Sequence, residues 1–190
     1  MVTPSHIAAS LLVWRREKAW RNLAAVVAGA VLPDATMFLF YGYQKIVGAS
    51  EASIWDELYF LDRWQYVFDV FNSFPIALVL LIGAWRFKCQ WLQLFLLSAM
   101  LHMIFDLPLH HDDGHRHFLP LSNWRFESPI SYWDPRHFGR IVAPIELLGS
   151  ISALIFVSRS GSTPPRRAAQ VMLGIYVVLL VSVVVATLFS

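Results

Sequence analysis

An all-α, polytopic membrane bundle of about five to six transmembrane segments is predicted by three observations. Apolar runs close to membrane-crossing length recur between charged loops. The composition is 57% hydrophobic and only 15% charged, with a mean hydropathy of +0.53, more apolar than a soluble domain. Basic residues concentrate in the loops at 15–21, 86–88 and 159–167, whereas acids and histidines fill those at 41–65 and 107–139. That alternation predicts a topology with the basic loops cytoplasmic. At 190 residues, one membrane-embedded helical domain, 1–190, accounts for the chain.

The elements follow in order. His6–Trp14 is apolar but falls well short of the ~20 residues that span a bilayer. It predicts a short helix, half-buried or packed inside the bundle, with Pro4 just before it and Ser5 as its cap. The basic cluster RREKAWR comes after this run, the wrong order for a cleaved signal peptide. Leu23–Phe40 predicts a span interrupted at Pro33-Asp34, since a proline frees a backbone carbonyl and often marks a bend beside a polar cavity. Residues 42–62 predict a loop with an amphipathic part, whose Trp55, Tyr59 and Phe60 suit the aromatic belt of a membrane interface. Tyr66–Trp85 predicts one span holding Asp69, Asn72 and Pro75. Trp91–Leu107 predicts another, ended by Pro108. Residues 109–139 then form a polar, His-rich loop on the non-cytoplasmic side. Ile141–Val157 predicts a span containing Pro144 and Glu146, residues 159–167 a turn, and Val171–Phe189 an uncharged span for packing and anchorage.

Aligning the basic ends of these helices predicts a shared depth. Asp34 and His102 each lie ~18 Å of helical rise from the basic face. Asp69 and Glu146 reach a similar depth from the opposite face, and His6 joins them if the first segment crosses. Ionisable groups at such a depth are costly and mostly functional.

The chemistry concentrates in HMIFDLPLHHDDGHRH, residues 102–117, with five of the seven histidines and three aspartates. His102 and Asp106, four residues apart, share a helix face. The pair can chelate a metal ion or form a buried His–Asp hydrogen bond. His110 and His111 follow at once with Asp112 and Asp113, which weights the reading toward a metal. Imidazole and carboxylate together suit a divalent ion, zinc first, with manganese or iron as alternatives. The expected ligands are His6, Asp34, His102, Asp106, His110 and His111. Asp69 and Glu146 are the catalytic candidates, Glu146 as a general base or a further ligand. His115 and His117, flanking Arg116, read as solvated surface, and His137 as interfacial. The single Cys89 excludes a Cys-rich zinc site. A net charge of +2 without a basic, aromatic-interleaved stripe argues against nucleic acid as a partner.

Several of these motifs resemble the membrane-bound, metal-dependent hydrolases of the YdjM type, which sit in bacterial inner membranes. TPSHIAAS resembles that family's early helical histidine and supplies His6. VLPDAT resembles its L-P-D-x-D turn and supplies Asp34. SAMLHMIFDLPLHH resembles its S-H-x-x-x-D element and supplies His102 and Asp106, and HFLPLS resembles the closing element around Pro120. The chain departs from the pattern twice. Thr36 stands at the second acid of L-P-D-x-D, and VFDVFNS replaces H-R-G-x-T-H-S, so both of its histidines are missing. The resemblance implies metal-assisted hydrolysis. A looser echo of zinc-dependent phospholipase C, which uses a helical bundle and an H-x-x-x-D pair, implies a phosphoester.

The leading expectation is therefore a hydrolase acting on a lipid or lipid-linked ester or phosphoester at the non-cytoplasmic face, with membrane lipid and a lipid-like substrate as partners. Membrane diiron oxygenases usually need about eight or more histidines in several boxes, and this chain has seven, five of them in one stretch. The alternative from another class is a non-catalytic metal-binding, transport or assembly protein derived from that family, which the missing histidines favour.

Overall fold

The computed structural model describes residues 1–188, with side chains through Ser182. Phe189, where the last predicted span ends, lies outside the described residues. In chain order the elements are α1 (Thr3–Val13), α2 (Trp20–Ile46), α3 (Glu51–Ser53) running into a π turn (Ile54–Leu58), α4 (Asp62–Phe71), α5 (Phe74–Arg86) and α6 (Gln90–Asp106). A 3-10 turn (Pro135–His137) follows, then α7 (Gly139–Ser160) and α8 (Thr163–Leu188). There is no strand among the described residues.

Four helical stretches are long and apolar enough to cross a membrane: Trp20–Ile46, Asp62–Arg86, Gly139–Ser160 and Thr163–Ser182. The 17 residues of α6 reach ~25 Å, and it packs against α2 on one side and α5 on the other. The 11-residue α1 lies between α2 and α7, and α8 packs outside α7. The outer faces are apolar and open. On α5 these include Val79 and Leu80, on α7 Ile141 and Leu148, and on α8 Val171 and Val178. Apolar surface of that extent suits contact with lipid.

Several boundaries differ from the sequence reading, each for a local reason. Helix α1 begins at Thr3 with Val2 as its cap, because Pro4 is preset for a first helical turn. Ser5 is thus inside the helix, where its hydroxyl accepts a hydrogen bond from Ser150 at 2.8 Å. Pro33 does not interrupt α2, which runs on to Ile46. The predicted span 66–85 is two helices. The first ends at Phe71 with Asn72 as its cap, and the Ser73 hydroxyl caps the second by accepting from the Ile76 N–H. Thr163–Arg167, predicted as turn, is the first part of α8, with Pro164 and Pro165 in the opening turn where missing N–H groups do no harm.

The basic loops gather at one end of the bundle. The Ser162 N–H donates to the Arg15 carbonyl at 2.8 Å, and the Arg21 guanidinium lies 5.9 Å from the Trp91 ring centre. At that end Ala8, Leu11, Leu23, Leu154, Val157 and Ala169 form an apolar core. At the other end Phe40, Ile54, Tyr59 and Phe68 form an aromatic one. Between them the interior is polar. The Ser10 and Ser98 hydroxyls meet at 2.9 Å, and Ser98 donates to the Val26 carbonyl at 2.7 Å. Small residues at a helix crossing let the backbones close in. Gly29 is the tightest case, since a Cβ there would stand 2.0 Å from the Phe95 carbonyl oxygen.

The loop 107–138 folds back over the bundle. Ser128 N–H donates to the His110 carbonyl and Tyr132 N–H to the Leu109 carbonyl, each at 3.0 Å. His117, read from sequence as solvated, is buried: its Nδ1 donates to the Asn72 carbonyl at 2.8 Å, and its own carbonyl accepts from Phe74 N–H at 2.9 Å. It thereby fastens the loop to the break between α4 and α5.

The Gly29–Phe95 approach predicts that Gly29→Ala forces α2 and α6 apart and destabilises the protein by about 1–3 kcal/mol. Thermal unfolding in detergent should show this as a clear drop in Tm. An unchanged Tm would mean that the two helices do not pack this closely.

Candidate metal centre

His6 from α1 meets His102 and Asp106 from α6. His6 Nε2 lies 2.9 Å from Asp106 Oδ1, and His102 Nε2 lies 2.8 Å from Asp106 Oδ2. One donor atom from each of the three lies within 4.8 Å of the others. The two imidazoles are stacked, with ring centres 3.4 Å apart and planes 7° from parallel. All three residues are buried.

The short approaches are not hydrogen bonds. Neither Nε2 points an N–H at an acceptor, and His6 Nδ1 has no partner either. Buried polar atoms without partners are rare in proteins. The His102 tautomer follows from its other nitrogen: Nδ1 lies 2.7 Å from the Ala30 carbonyl, which can only accept. The proton therefore sits on Nδ1, and Nε2 keeps its lone pair, as a ligating imidazole requires. Two imidazole nitrogens and a carboxylate, facing one another without bonding, fit a divalent ion better than a hydrogen-bonded triad.

Two further sequence candidates border this cluster. Asp34 Oδ1 is 3.6 Å from His102 Nε2, while Oδ2 accepts from the Thr3 hydroxyl at 2.5 Å. His110 Nε2 is 3.5 Å from Asp106 Oδ1 and unpartnered. The His110 Nδ1 lies 2.9 Å from Asp113 Oδ2, which also accepts from the Trp133 indole at 2.8 Å. The Met1 nitrogen stands 2.5 Å from Asp106 Oδ1. A cavity of about 310 Å³ opens on this group, lined on its polar side by Asp34, Asp106, His110, Asp113, His115 and Tyr132. Burial works against charge on His110, but the carboxylates of Asp106 and Asp113 outweigh it and push its pKa up to about 9. Burial likewise opposes the Asp113 charge, but the His110 bond holds that carboxyl below its usual range.

A family model described as YdjM inner membrane protein matches residues 1–189. The chain belongs to this family. No curated protein and no solved structure matches it. Membership makes it an inner-membrane protein, in accord with its lipid-facing helices.

Within this YdjM-family chain, three sequence candidates fall outside the cluster. Asp69, at the position of the missing H-R-G-x-T-H-S motif, is fully buried and held by the Arg116 guanidinium and backbone N–H, with His115 Nδ1 3.4 Å away. An acid so held fastens the loop. Glu146 accepts from the Val2 N–H at 2.8 Å and lines a neighbouring groove, not the cavity beside Asp106. His111 turns away, with its Nδ1 donating to the Ser128 carbonyl at 2.7 Å and its ring stacked on His137. Asp113, which is not among the ligands expected from sequence, joins the site through its i+3 spacing from His110, which suits a turn contact. Tyr132, on the cavity wall, had no signal beyond its place in the loop.

Just beyond the cavity, burial pushes the His117 pKa down to about 4 from 6.5. Below pH 6.5 the unfolded chain takes up a proton that the fold resists. The stability from neutral His117 is therefore full above pH 6.5 and is lost progressively as the pH falls to about 4, by about 3 kcal/mol in total. We expect the acid-induced drop in Tm to be smaller in His117→Gln than in the unsubstituted protein. Equal drops would show that His117 is not held neutral by the fold.

Proposed function

We propose that the protein is a metal-dependent hydrolase that cleaves an ester or phosphoester of a lipid or lipid-linked molecule at the non-cytoplasmic face of the inner membrane. The observation that carries this reading is the convergence of the unpartnered His6 and His102 nitrogens on the carboxylate of Asp106, which lines a cavity. These three residues would hold the ion, zinc by preference for the donor set, with Asp34 beside it. A divalent ion so held supplies a Lewis acid and lowers the pKa of water.

The remaining work falls to the chain. His110, oriented by Asp113, presents Nε2 beside Asp106 on the cavity wall and is placed to move the proton. That role, given to Glu146 by sequence, goes to His110 because Glu146 lines the neighbouring groove. Phe38, Phe68 and Met37 give the cavity an apolar side. A second, mostly apolar groove of about 350 Å³ runs between α1, α6 and α7, and Met1 borders both spaces. A polar reaction space beside an apolar groove at the edge of the bilayer suits a substrate with an acyl or prenyl tail.

One observation favours the non-catalytic alternative, a metal-binding, transport or assembly protein. Asp69, which replaces part of the family's histidine motif, is held by Arg116 and is no longer free as a ligand.

Metal analysis of detergent-purified protein tests both readings. We expect stoichiometric metal in the unsubstituted protein and none in His102→Ala or Asp106→Ala. His110→Ala should keep the metal yet lower hydrolysis of lipid esters or phosphoesters by ~10²–10⁴-fold. Freshly purified protein without metal, and with a Tm unaffected by chelator, would sink the hydrolase reading. Bound metal without turnover of any lipid ester or phosphoester would favour the alternative.

A further inference from the structure

Beside the reaction cavity lies a further space of about 300 Å³ whose walls are almost entirely aromatic. Its rings are Trp55, Tyr59, Phe60, Tyr132 and Trp133. Met37 completes the wall, and Asp113 is its one charged residue. These residues come from α2, from the π turn and the positions after it, and from the loop 107–138. The rings stand in different planes. Trp55 is tilted 49° to Tyr59 and Phe60 meets Tyr59 at 88°, with centres 6.0 and 5.0 Å apart. Tyr59 is buried, whereas Trp55, Phe60 and Trp133 are exposed at the mouth.

The rings are fixed from behind. Tyr59 stacks on Phe68 with centres 5.4 Å apart, and its carbonyl accepts from the Gln65 amide at 2.8 Å. Both indole N–H groups are already used: Trp55 donates to Glu51 at 3.2 Å and Trp133 to Asp113 at 2.8 Å. The pocket therefore offers a ligand mainly ring surface, with one carboxylate held at the edge of the Trp133 ring. Aromatic faces carry negative charge density and attract cations. The surrounding charges act in the same sense. Burial first, and then the charges of Asp113, Asp106, Asp34 and Glu146, push the Tyr132 pKa up from its usual value. The neighbouring cations are engaged elsewhere, His110 between Asp106 and Asp113, and Arg125 against Gln65 and Asp69. An alkylammonium ion fits such walls, because its carbon groups pack on the rings while its charge meets their faces.

We propose that this aromatic pocket binds the alkylammonium headgroup of a lipid, of the choline or ethanolamine type. Met37, Tyr59, Asp113 and Tyr132 line both the pocket and the reaction cavity, so the two spaces share a wall. In these headgroups a short carbon link joins the ammonium to a phosphate ester, which suits one molecule reaching into both. The exposed Trp and Phe side chains at the mouth are of the kind that sits at the level of lipid headgroups. That the ammonium belongs to the substrate rests on the hydrolase reading. That the pocket takes it does not, because neither His102 nor Asp106 lines it.

Tetramethylammonium chloride is the probe for the pocket. Saturation-transfer NMR on the full chain in non-ionic detergent, with chelator present, should show it bound. Dihexanoylphosphatidylcholine should displace it, and dihexanoylphosphatidylglycerol should not. Trp55→Leu and Phe60→Leu should each weaken binding ~2–30-fold, and Trp55→Phe, which keeps a ring, should restore most of it. A measurement on the unsubstituted protein guards against misfolded variants: the uncharged isostere of choline, with carbon in place of nitrogen, should bind ~10-fold more weakly than choline. Equal binding of choline and its isostere, equal displacement by the two lipids, or an affinity unchanged in both leucine variants overturns the proposal. In a turnover assay, Phe60→Leu should raise KM for the choline phosphoester and leave that for the glycerol phosphoester unchanged. A protein that hydrolyses neither lipid loses the substrate assignment, while the binding measurements decide the pocket by themselves.

Discussion

A carboxylate buried in an apolar bundle must be compensated, and Asp106 is the group on which most of the interior bears. It is 3% exposed and sits at the end of α6, ~24 Å of rise from the basic end of that helix. An isolated charge there would be prohibitively unfavourable. The Met1 nitrogen and His110 offset it, while His6 and His102 bring open nitrogens against it, the four groups being drawn from three parts of the chain. Bringing them together requires α1 and α2 to press closely on α6. That explains why the crossing is built from Gly29, Ser10 and Ser98, residues that would be poor choices for an apolar core. The packing of the helices and the chemistry of the centre are thus one constraint.

The cap over the cavity depends on a second buried carboxylate handled in the opposite way. Asp69 is compensated by a fixed cation, Arg116, which leaves it no capacity to bind an ion. His117 and Ser73 add bonds across the same junction, to the Asn72 and Leu119 carbonyls. Asp106 faces open imidazole nitrogens of His6 and His102 beside the donating Met1 nitrogen, whereas Asp69 is held by the Arg116 donors. A buried pair of the second kind contributes position more than net stability. Here the position concerned is that of residues 110–117, including His110.

These differences explain what the sequence made legible. Local spacing encoded His102 and Asp106, because an i,i+4 pair on a helix has one geometry. Depth along the spans grouped Asp34 with His102, because rise per residue is fixed. His6 needed the resemblance to a family motif, since an 11-residue helix does not declare whether it crosses. The same depth argument misplaced Asp69 and Glu146. It gives the level of a side chain but not its direction, and direction is decided by partners such as Arg116 and Val2 that lie far away in sequence. The histidines of 110–117 were the least legible, because their loop has no periodicity. His110, His111 and His117 fall into three different environments within eight residues.

The replacement of the family's H-R-G-x-T-H-S motif can be understood in the same terms. The stretch VFDVFNS lies where α4 ends and α5 begins, and it faces the loop 115–119 rather than α1. Histidines there would offer ligands from the far side of the cavity. Asp69 instead draws Arg116 into the interior, and the loop follows. One set of donors is removed and another, His110 with Asp113, is brought to the cavity wall by the backbone path that results. The cavity beside Asp106 is thus bordered by side chains of the loop, His110 with Asp113, rather than by histidines of the α4–α5 junction.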